Sequence, residues 1–212
     1  MVKAIIFDLQ GTLVENGVYP SPLKQIMYIL RINIPFSDFV MRFEKVFMKE
    51  QHSSLKDAFM KVCEEFHLIP EDYLIDKLVG MWNKNKLLAK IYPDVLPTLN
   101  ELKGKYKLIL LANIDSFSKD IIDRYSLREY FDIVILSCDT GLLKNDKEFY
   151  NKVVDTYDLK PEDVMLVGDS MDSDMMIARD IGIKGILVDR KNRREYDPKI
   201  LLLTDLKKYL GE

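Results

Sequence analysis

The stretch from Lys3 to Leu13 is apolar for several residues and then reaches a carboxylate. Its unbroken Ala-Ile-Ile-Phe run at 4–7 is typical of a strand buried on both faces of a parallel sheet. The Gly11-Thr12 pair that follows indicates a tight turn. Asp8 is therefore expected at the carboxyl end of a strand, where ligands bind in open α/β sheets. The residues alone fit a ligand-facing carboxylate and a turn-capping aspartate equally well.

From Tyr92 onward, short apolar runs alternate with amphipathic segments. The runs that predict strands lie at 108–111, 133–136, 164–167 and 185–188. Predicted helices lie at 95–103, 116–125, 146–157 and 172–181, and the tail at 200–210 adds a short strand and a closing helix. Repeated βα units predict an α/β fold, with a parallel sheet and helices on both faces.

Residues 15–90 have a different character, because strand-like runs disappear. Four helical patterns begin near Pro22, Ser37, either Ser53 or Ser54, and Pro70. Their apolar residues recur at helical spacing, which is typical of helices that share a small core. The sequence thus predicts a helical bundle over 15–90, inserted after the first strand of a core formed by 1–14 and 91–212.

Composition excludes several classes of function. The chain has 212 residues, 48% of them hydrophobic and 31% charged, which indicates a soluble globular protein. A net charge of −3 offers no basic surface for nucleic acid. No apolar stretch has the length of a membrane span or a signal peptide, so a cytoplasmic protein is expected. Monomer and homodimer both remain open.

A second group of acids follows the predicted strand at 164–167, in the segment Gly168-Asp169-Ser170 and at Asp174. Carboxylates that converge at strand ends suit Mg²⁺, which takes oxygen ligands and bridges to phosphate. Alternatively, Ser170 and Asp172 cap the next helix and the acids favour its N-terminus. Asp8 upstream favours the metal site, because convergent partners strengthen a site hypothesis.

Three segments resemble motifs of the haloacid dehalogenase-like (HAD) hydrolases. Asp8-Leu9-Gln10-Gly11-Thr12 resembles the first motif, Asp-x-Asp-Gly-Thr. Gly141-Leu142-Leu143-Lys144 resembles the third, Gly-x-x-Lys-Pro-Asp, with Asn145 in place of Pro, and 168–174 resembles the fourth, Gly-Asp-Ser-x-x-x-Asp. The resemblance spans the whole chain. It implies a Rossmann-like core with a helical cap inserted just after the nucleophile.

The resemblance also implies a role for each matched residue. Asp8 would be the nucleophile that forms an aspartyl-phosphate, and Lys144 would stabilise charge on it and on the phosphoryl oxygens. Mg²⁺ would be held by Asp8, the Gln10 backbone carbonyl and Asp169, with Asp174 in support. The expected activity is a Mg²⁺-dependent phosphatase acting on a small phosphorylated molecule.

Two positions depart from the family pattern. Gln10 stands where the family has its acid/base Asp, and an amide cannot transfer a proton, so the acid/base function is expected to be weakened. Ala112 stands where the second motif has Ser or Thr. Asn113, which matches the Asn that often follows, and Thr12 are the expected substrate-binding residues.

Three alternatives remain open. The dehalogenase branch also lacks the second Asp, but its chemistry needs no metal, and the retained Asp169 and Asp174 argue against it. Phosphonate cleavage would need a lysine from the cap, for which Lys49 and Lys56 are the candidates. The third alternative is a protein that binds phosphate or a partner with little turnover, since a fold does not determine a function.

Overall fold

The computed structural model describes residues 2–69 and 71–211. Its strands are β1 (Ala4–Phe7), β2 (Val14–Glu15), β3 (Lys90–Ile91), β4 (Lys107–Ala112), β5 (Ile133–Leu136), β6 (Val164–Gly168), β7 (Lys184–Val188) and β8 (Lys199–Ile200). Its α-helices are α1 (Pro22–Ile29), α2 (Phe36–Phe47), α3 (Leu55–Glu65), α4 (Asp72–Leu88), α5 (Val95–Leu102), α6 (Asp120–Arg124), α7 (Ser137–Thr140), α8 (Lys147–Thr156), α9 (Met176–Ile181) and α10 (Lys207–Leu210). None of these helices is long and apolar enough to cross a membrane.

The main sheet has six strands in the order β5-β4-β1-β6-β7-β8, and all neighbours pair in parallel. The first strand of the chain is therefore central. Helices lie between β4 and β5, between β5 and β6 and between β6 and β7, as parallel pairing of strands requires a crossover. The predicted α/β fold with a parallel sheet is confirmed.

Strand β1 is buried on both faces, as its apolar run predicts. Ile5 and Phe7 belong to one core cluster, with residues of α5 and α6. Ala4 and Ile6 belong to a second cluster, with residues of α8 and α9. All four side chains are fully buried, and each large one contributes about 1.5–3 kcal/mol on burial. The strand that carries Asp8 is thus fixed firmly between two layers of helices.

The strand order determines where the functional residues meet. Phe7 pairs with Leu110 of β4 on one side and with Val167 of β6 on the other. Strands β4 and β5 lie on one side of β1, and β6, β7 and β8 lie on the other. The strand order therefore reverses at β1, and a crevice is expected at the carboxyl ends of β4, β1 and β6. Asp8, Asn113 and Asp169 each follow one of the three strands directly and share that edge.

Helices α1 to α4 lie between β2 and β3 and share their own hydrophobic cluster. The rings of Phe43 and Phe47 stack with centroids 4.7 Å apart, and Phe47 lies 4.8 Å from both Phe59 and Trp82. Of the two serines predicted as the cap of α3, Ser54 is the one observed, since its hydroxyl accepts a hydrogen bond from the Asp57 backbone N–H at 3.1 Å. The predicted start near Pro70 lies outside the described residues, and α4 begins at Asp72.

The ends of this helical segment are joined by a small antiparallel ribbon. Val14 pairs with Ile91, and Glu15 pairs with Lys90. The sequence analysis does not predict β2 or β3, because two residues are too short to show a period. The proposed domain boundaries at 14/15 and 90/91 fall within this ribbon, and the division into two domains stays a prediction.

Two predicted helices differ from those observed. The helix expected over 116–125 is shorter in the structure, where α6 begins at Asp120. The Asp115 side chain accepts a hydrogen bond from the Phe117 backbone N–H at 3.0 Å, which holds the residues before α6 in a turn. The helix expected over 172–181 begins as a π-helical turn at Met171–Met175 before α9. Single π-helical turns are frequent at functional sites. Helix α7 was not predicted.

Gly17 provides a test of how the ribbon packs on α4. A Cβ atom at Gly17 would lie 2.3 Å from the Asn85 carbonyl oxygen and 2.5 Å from the Ala89 nitrogen, both of them backbone atoms. We expect Gly17→Ala to lower the free energy of unfolding by about 1–3 kcal/mol, since the backbone must shift. Urea denaturation measures the change.

Gly80 is the matched control, because it lies on the exposed side of α4 with no atom within 4 Å of a built Cβ. Gly80→Ala should raise the free energy of unfolding by about 0.5–1 kcal/mol through helix propensity. If Gly17→Ala lowers the free energy of unfolding no more than Gly80→Ala does, Gly17 does not lie as close to the backbone at the end of α4 as the structure shows.

Candidate active site

Asp8 is buried at the end of β1, with 3% of its surface exposed. Its Oδ2 accepts a hydrogen bond from the Thr12 hydroxyl at 3.1 Å, and its Oδ1 accepts one from Lys144 Nζ at 2.5 Å. Burial raises the pKa of Asp8 to about 6, with the Asp174 charge adding to this and Lys144 opposing it. The group is therefore mostly a carboxylate at neutral pH, and both of its oxygens are held in place.

Lys144 joins two of the acids. Its Nζ also donates to Asp174 Oδ1 at 2.8 Å, and the residue is 5% exposed. Burial lowers the pKa of Lys144, but the charges of Asp174 and Asp8 outweigh this and hold the pKa well above its ordinary value. Lys144 is thus a fixed cation between two carboxylates, and its predicted role toward phosphoryl oxygens stays a prediction.

Three carboxylates converge on one point. Oxygen atoms of Asp8, Asp169 and Asp174 all lie within 4.8 Å of one another. Two glycines make this approach possible: a Cβ on Gly11 would lie 2.3 Å from Asp169 Oδ2, and one on Gly168 would lie 2.3 Å from Asp174 Oδ2. Gly11 also has a φ of +83°, which other residues rarely adopt. The absence of a side chain at Gly11 and Gly168 therefore leaves the space that the Asp169 and Asp174 carboxylates occupy.

The charges in this cluster do not balance. Burial raises the pKa of Asp169 to about 8, and repulsion from Asp8 and Asp174 adds to the effect. Lys144 and the exposed Arg194 lower the pKa of Asp169 but do not outweigh burial and repulsion, so the nearby cations do not fully offset the negative charge of the three acids. Oxygen donors with excess negative charge are what a hard divalent cation requires. The residues predicted to bind metal through their side chains fit such an ion.

Gln10 lies in the turn after Asp8. Its side-chain oxygen Oε1 is buried and has no hydrogen-bond partner among the described residues. A buried acceptor without a donor is costly, and a donor from water or a ligand would satisfy it. The side chain of Gln10 is thus polar, but its amide cannot exchange a proton.

Asn113 lies at the centre of a hydrogen-bond bridge. Its side-chain oxygen accepts from the Lys144 backbone N–H at 2.9 Å, and its Nδ2 donates to Glu44 Oε2 at 2.8 Å. Thr12, the other residue predicted to bind substrate, points its hydroxyl at Asp8 instead. In the structure these two residues orient the charged groups of the site, and a contact of either with substrate stays a prediction.

Glu44, on α2, is a site residue that the sequence analysis missed. Burial raises the pKa of Glu44 to about 7, while Lys144 and the hydrogen bond from Asn113 lower it and Asp8 and Asp174 raise it further. The one signal in the sequence is a carboxylate next to the buried Phe43, beside the apolar side of an amphipathic helix. Which part of the sheet that side approaches cannot be read from the chain.

The helical segment contacts the sheet around this site. Trp82 Nε1 donates to Asp115 Oδ2 at 3.2 Å, and the Ser137 hydroxyl donates to the Met48 carbonyl at 2.7 Å. The lysines considered for phosphonate chemistry have other partners: Lys49 pairs with Asp146 at 3.4 Å, and Lys56 pairs with Asp72 at 3.2 Å. Neither lysine pairs with Asp8 in the part of the chain that the structure describes.

The fold and the acids together define a class of protein. The chain matches the family model of the haloacid dehalogenase-like hydrolases over residues 2–182, and it belongs to that family of enzymes. The resemblance inferred from the three motifs is therefore confirmed.

Several characterised proteins are similar along nearly the whole chain. The glyceraldehyde 3-phosphate phosphatase of Methanopyrus kandleri is 24% identical, over 94% of this chain and 89% of its own length. The phosphoglycolate phosphatase of Aquifex aeolicus is 27% identical, over 88% and 84%. A HAD phosphatase from Thermococcus onnurineus has a similar structure, with a TM-score of 0.65 at 24% identity, covering 99% and 98% of the two chains. A 2-haloacid dehalogenase from Pseudomonas syringae pv. Tomato aligns with a TM-score of 0.67 at 19% identity, covering 100% and 99%. At these identities the solved structures show a common fold.

The raised pKa values predict how stability depends on pH and metal. A carboxyl group whose pKa rises from 3.8 to about 8 on folding destabilises the folded protein as the pH rises between those values. We expect the metal-free protein to melt at a lower temperature at about pH 8 than at about pH 5. Because Mg²⁺ would offset the repulsion, it should raise the melting temperature more at the higher pH.

Asp169→Asn should remove most of the Mg²⁺ effect, and differential scanning calorimetry measures it. Asp172→Asn is the matched control, since Asp172 lies three residues further on, is exposed and is not one of the three converging acids. An equal Mg²⁺ shift in the two variants would contradict the assignment of the ion site.

Proposed function

We propose that this protein is a Mg²⁺-dependent phosphatase that acts on a small phosphate ester through an aspartyl-phosphate on Asp8. The observation that carries the proposal is the fixed Asp8 carboxylate beside Asp169 and Asp174, with Lys144 as the buried cation. The names of the relatives support it, since they are phosphatases for glyceraldehyde 3-phosphate and phosphoglycolate. The substrate class proposed here is a small phosphorylated metabolite.

The proposed nucleophile is Asp8. The Thr12 hydroxyl and the Lys144 ammonium hold its two oxygens in one orientation. A nucleophile fixed in this way reacts faster, because the cost of orienting it is already met on folding. As the phosphoryl group moves to Asp8, Lys144 would offset the negative charge on its oxygens.

Asp8, Asp169 and the Gln10 backbone carbonyl would hold Mg²⁺, with Asp174 in support. When bound, the ion would neutralise phosphoryl charge and orient the group for in-line attack. Asp174 has a second task, because its Oδ2 accepts a hydrogen bond from the Ser170 backbone N–H at 2.9 Å and closes the π-helical turn. The turn and the acids would thus stabilise each other.

We propose that residues 15–90 act as a cap over this site. Trp82 and Met48 make hydrogen bonds to residues that follow β4 and β5, and Leu143, next to Lys144, belongs to the hydrophobic cluster of the helices. A cap held in this way would exclude water from the site during transfer. The two-stranded ribbon at its ends would be the connection between cap and core.

A second candidate function follows from Gln10 and Ala112. Neither residue has the acid or hydroxyl group of the family motifs, and positioned acid/base groups typically contribute ~10²–10⁴ in rate. On this alternative the site binds phosphate or a phosphorylated partner and barely turns over.

Asp8→Asn tests the proposed function. It keeps the size of the side chain but removes the nucleophile, so we expect hydrolysis of an aryl phosphate in the presence of Mg²⁺ to fall by at least ~10³-fold. Asp172→Asn, with its exposed side chain, should keep the rate of the native protein. Release of inorganic phosphate is the measurement.

The outcomes separate the two candidates. Hydrolysis that survives in Asp8→Asn would rule out Asp8 as the acceptor. A native protein that shows no hydrolysis but binds inorganic phosphate in the presence of Mg²⁺ by calorimetry would favour the binding function.

A further inference from the structure

We propose that Glu44 is the general acid and base of this site and carries the proton that the amide of Gln10 cannot. The inference rests on the proposed phosphatase function. It assigns a catalytic role to a residue of the helical segment, outside the three motifs that the chain shares with the family.

Glu44 and the nucleophile are both held through Lys144, Glu44 by way of Asn113 at its backbone and Asp8 at its side chain. Glu44 Oε2 accepts from Asn113 Nδ2 at 2.8 Å, and Asn113 accepts from the Lys144 backbone N–H at 2.9 Å. Lys144 Nζ then donates to Asp8 Oδ1 at 2.5 Å. The second oxygen of Glu44 has no hydrogen-bond partner among the described residues. One oxygen is therefore anchored, and the other is available to a reacting group.

The helix that carries Glu44 is held in a fixed orientation. Phe43 and Phe47 flank it in sequence, are fully buried and stack on each other at 4.7 Å. The Met48 carbonyl, one turn after Glu44, accepts a hydrogen bond from Ser137 of the sheet domain at 2.7 Å. Rotation of α2 would break both contacts. Glu44 therefore stays on the side of the helix that faces the ends of β4 and β5.

The other polar groups of the site are unsuited to proton transfer. Lys144 is paired with Asp8 and Asp174 and holds its proton firmly. Asp169 and Asp174 belong to the proposed ion site. Tyr150 donates its hydroxyl to the Ser173 carbonyl at 3.2 Å, and burial raises the pKa of this phenol well above its ordinary value, so it holds its proton. The carboxyl group of Glu44 forms no hydrogen bond with any of the acids of the proposed ion site among the described residues.

The surroundings of Glu44 favour both protonation states near neutral pH. Burial raises the pKa of its carboxyl group to about 7. The charged groups that act on it are Lys144, which lowers the pKa, and Asp8 and Asp174, which raise it. A group with a pKa near the working pH is best able to give and then take a proton.

The two half-reactions balance around this single proton. In the first, an Asp8 oxygen forms a bond to phosphorus as the bond to the ester oxygen breaks, and Glu44 gives its proton to the departing alkoxide, which leaves as the alcohol. In the second, a water oxygen attacks phosphorus, Glu44 takes a proton from that water, and the bond to Asp8 breaks. Phosphate leaves, and Asp8 and Glu44 return to their starting states.

Glu44→Gln tests the proposal with two kinds of ester. For an alkyl phosphate we expect kcat to fall by ~10²–10⁴-fold, because the alkoxide needs a proton to leave. An aryl phosphate loses its phenolate without protonation. The variant should therefore release about one equivalent of phenol per site in a rapid burst and then turn over slowly, because the water attack still lacks its base.

Three further variants complete the experiment. Glu50→Gln is the matched control: Glu50 is also on the helical segment, its side chain is largely exposed, and within the described residues it pairs with Lys61 alone, at 3.5 Å. This variant should keep the native rates on both esters. Gln10→Asp, placed in the Glu44→Gln background, should restore at least ~10-fold of the alkyl phosphate rate, since it returns a carboxyl group to the site. Gln10→Asp in the native background completes the comparison: a gain there as large as the gain in Glu44→Gln would contradict the proposal, because the new carboxyl group would then not be replacing Glu44.

The proposal is overturned if Glu44→Gln keeps the native alkyl phosphate rate. It is also overturned if the variant changes KM equally for both esters without a burst, since that pattern indicates substrate binding alone. In either case, inactivity of Asp8→Asn beside an active native protein would leave the phosphatase function standing. A native protein that turns over neither ester would overturn both the function and the role of Glu44.

Discussion

The ammonium group of Lys144, buried between Asp8 and Asp174, is the interaction on which the rest of the site depends. Removing the charges of Lys144, Asp8 and Asp174 from water costs free energy, and only close contacts between opposite charges offset that cost. The fold supplies those contacts from three separate elements: the end of β1, the loop before α8 and the π-helical turn after β6. A change in the position of any one of these would leave a buried charge without its partner.

The cluster still carries more negative than positive charge. Asp169 makes this plain, since burial and its two acidic neighbours raise its pKa to about 8. Such an imbalance lowers stability in the absence of a cation and favours one when present. Gly11 and Gly168 allow the acids to approach closely, because a Cβ atom at either position would overlap a carboxylate of the cluster. The site therefore has an excess of negative charge that a divalent cation can neutralise.

The hydrogen bonds of Asn113 extend this cluster to the helical segment. Through Asn113, the loop that carries Lys144 is linked to Glu44 on α2. Contacts from Trp82 and Met48 hold the same helices against the sheet. The helical segment thus also brings a carboxyl group close to the site, in a chain whose first motif has Gln10 in place of an acid.

Much of this arrangement could be predicted from the sequence. The central strand followed from the unbroken apolar run before Asp8, because burial on both faces leaves no polar position. Asp169 and Asp174 were predicted to approach Asp8 because parallel strands end at one edge, and the structure brings them together.

Other features depend on contacts that the local sequence does not encode. The ribbon of β2 and β3 joins residues far apart in the chain, and each strand is too short to show a pattern. The shortened helix α6 results from a side-chain turn at Asp115 that competes with helical hydrogen bonds. Glu44 was not predicted, because its position near the site depends on how α2 packs against the sheet.

The most direct test of the account is to trap the phosphoryl group on the protein. Native protein is mixed with Mg²⁺ and an aryl phosphate and quenched in acid within a single turnover. The peptide that contains Asp8 is then analysed by mass spectrometry, with Asp8→Asn as the blank. The account predicts one phosphoryl group on Asp8, rising and then falling as phosphate is released. Phosphate release without modification of Asp8 at any quench time, or modification of another residue, would contradict it.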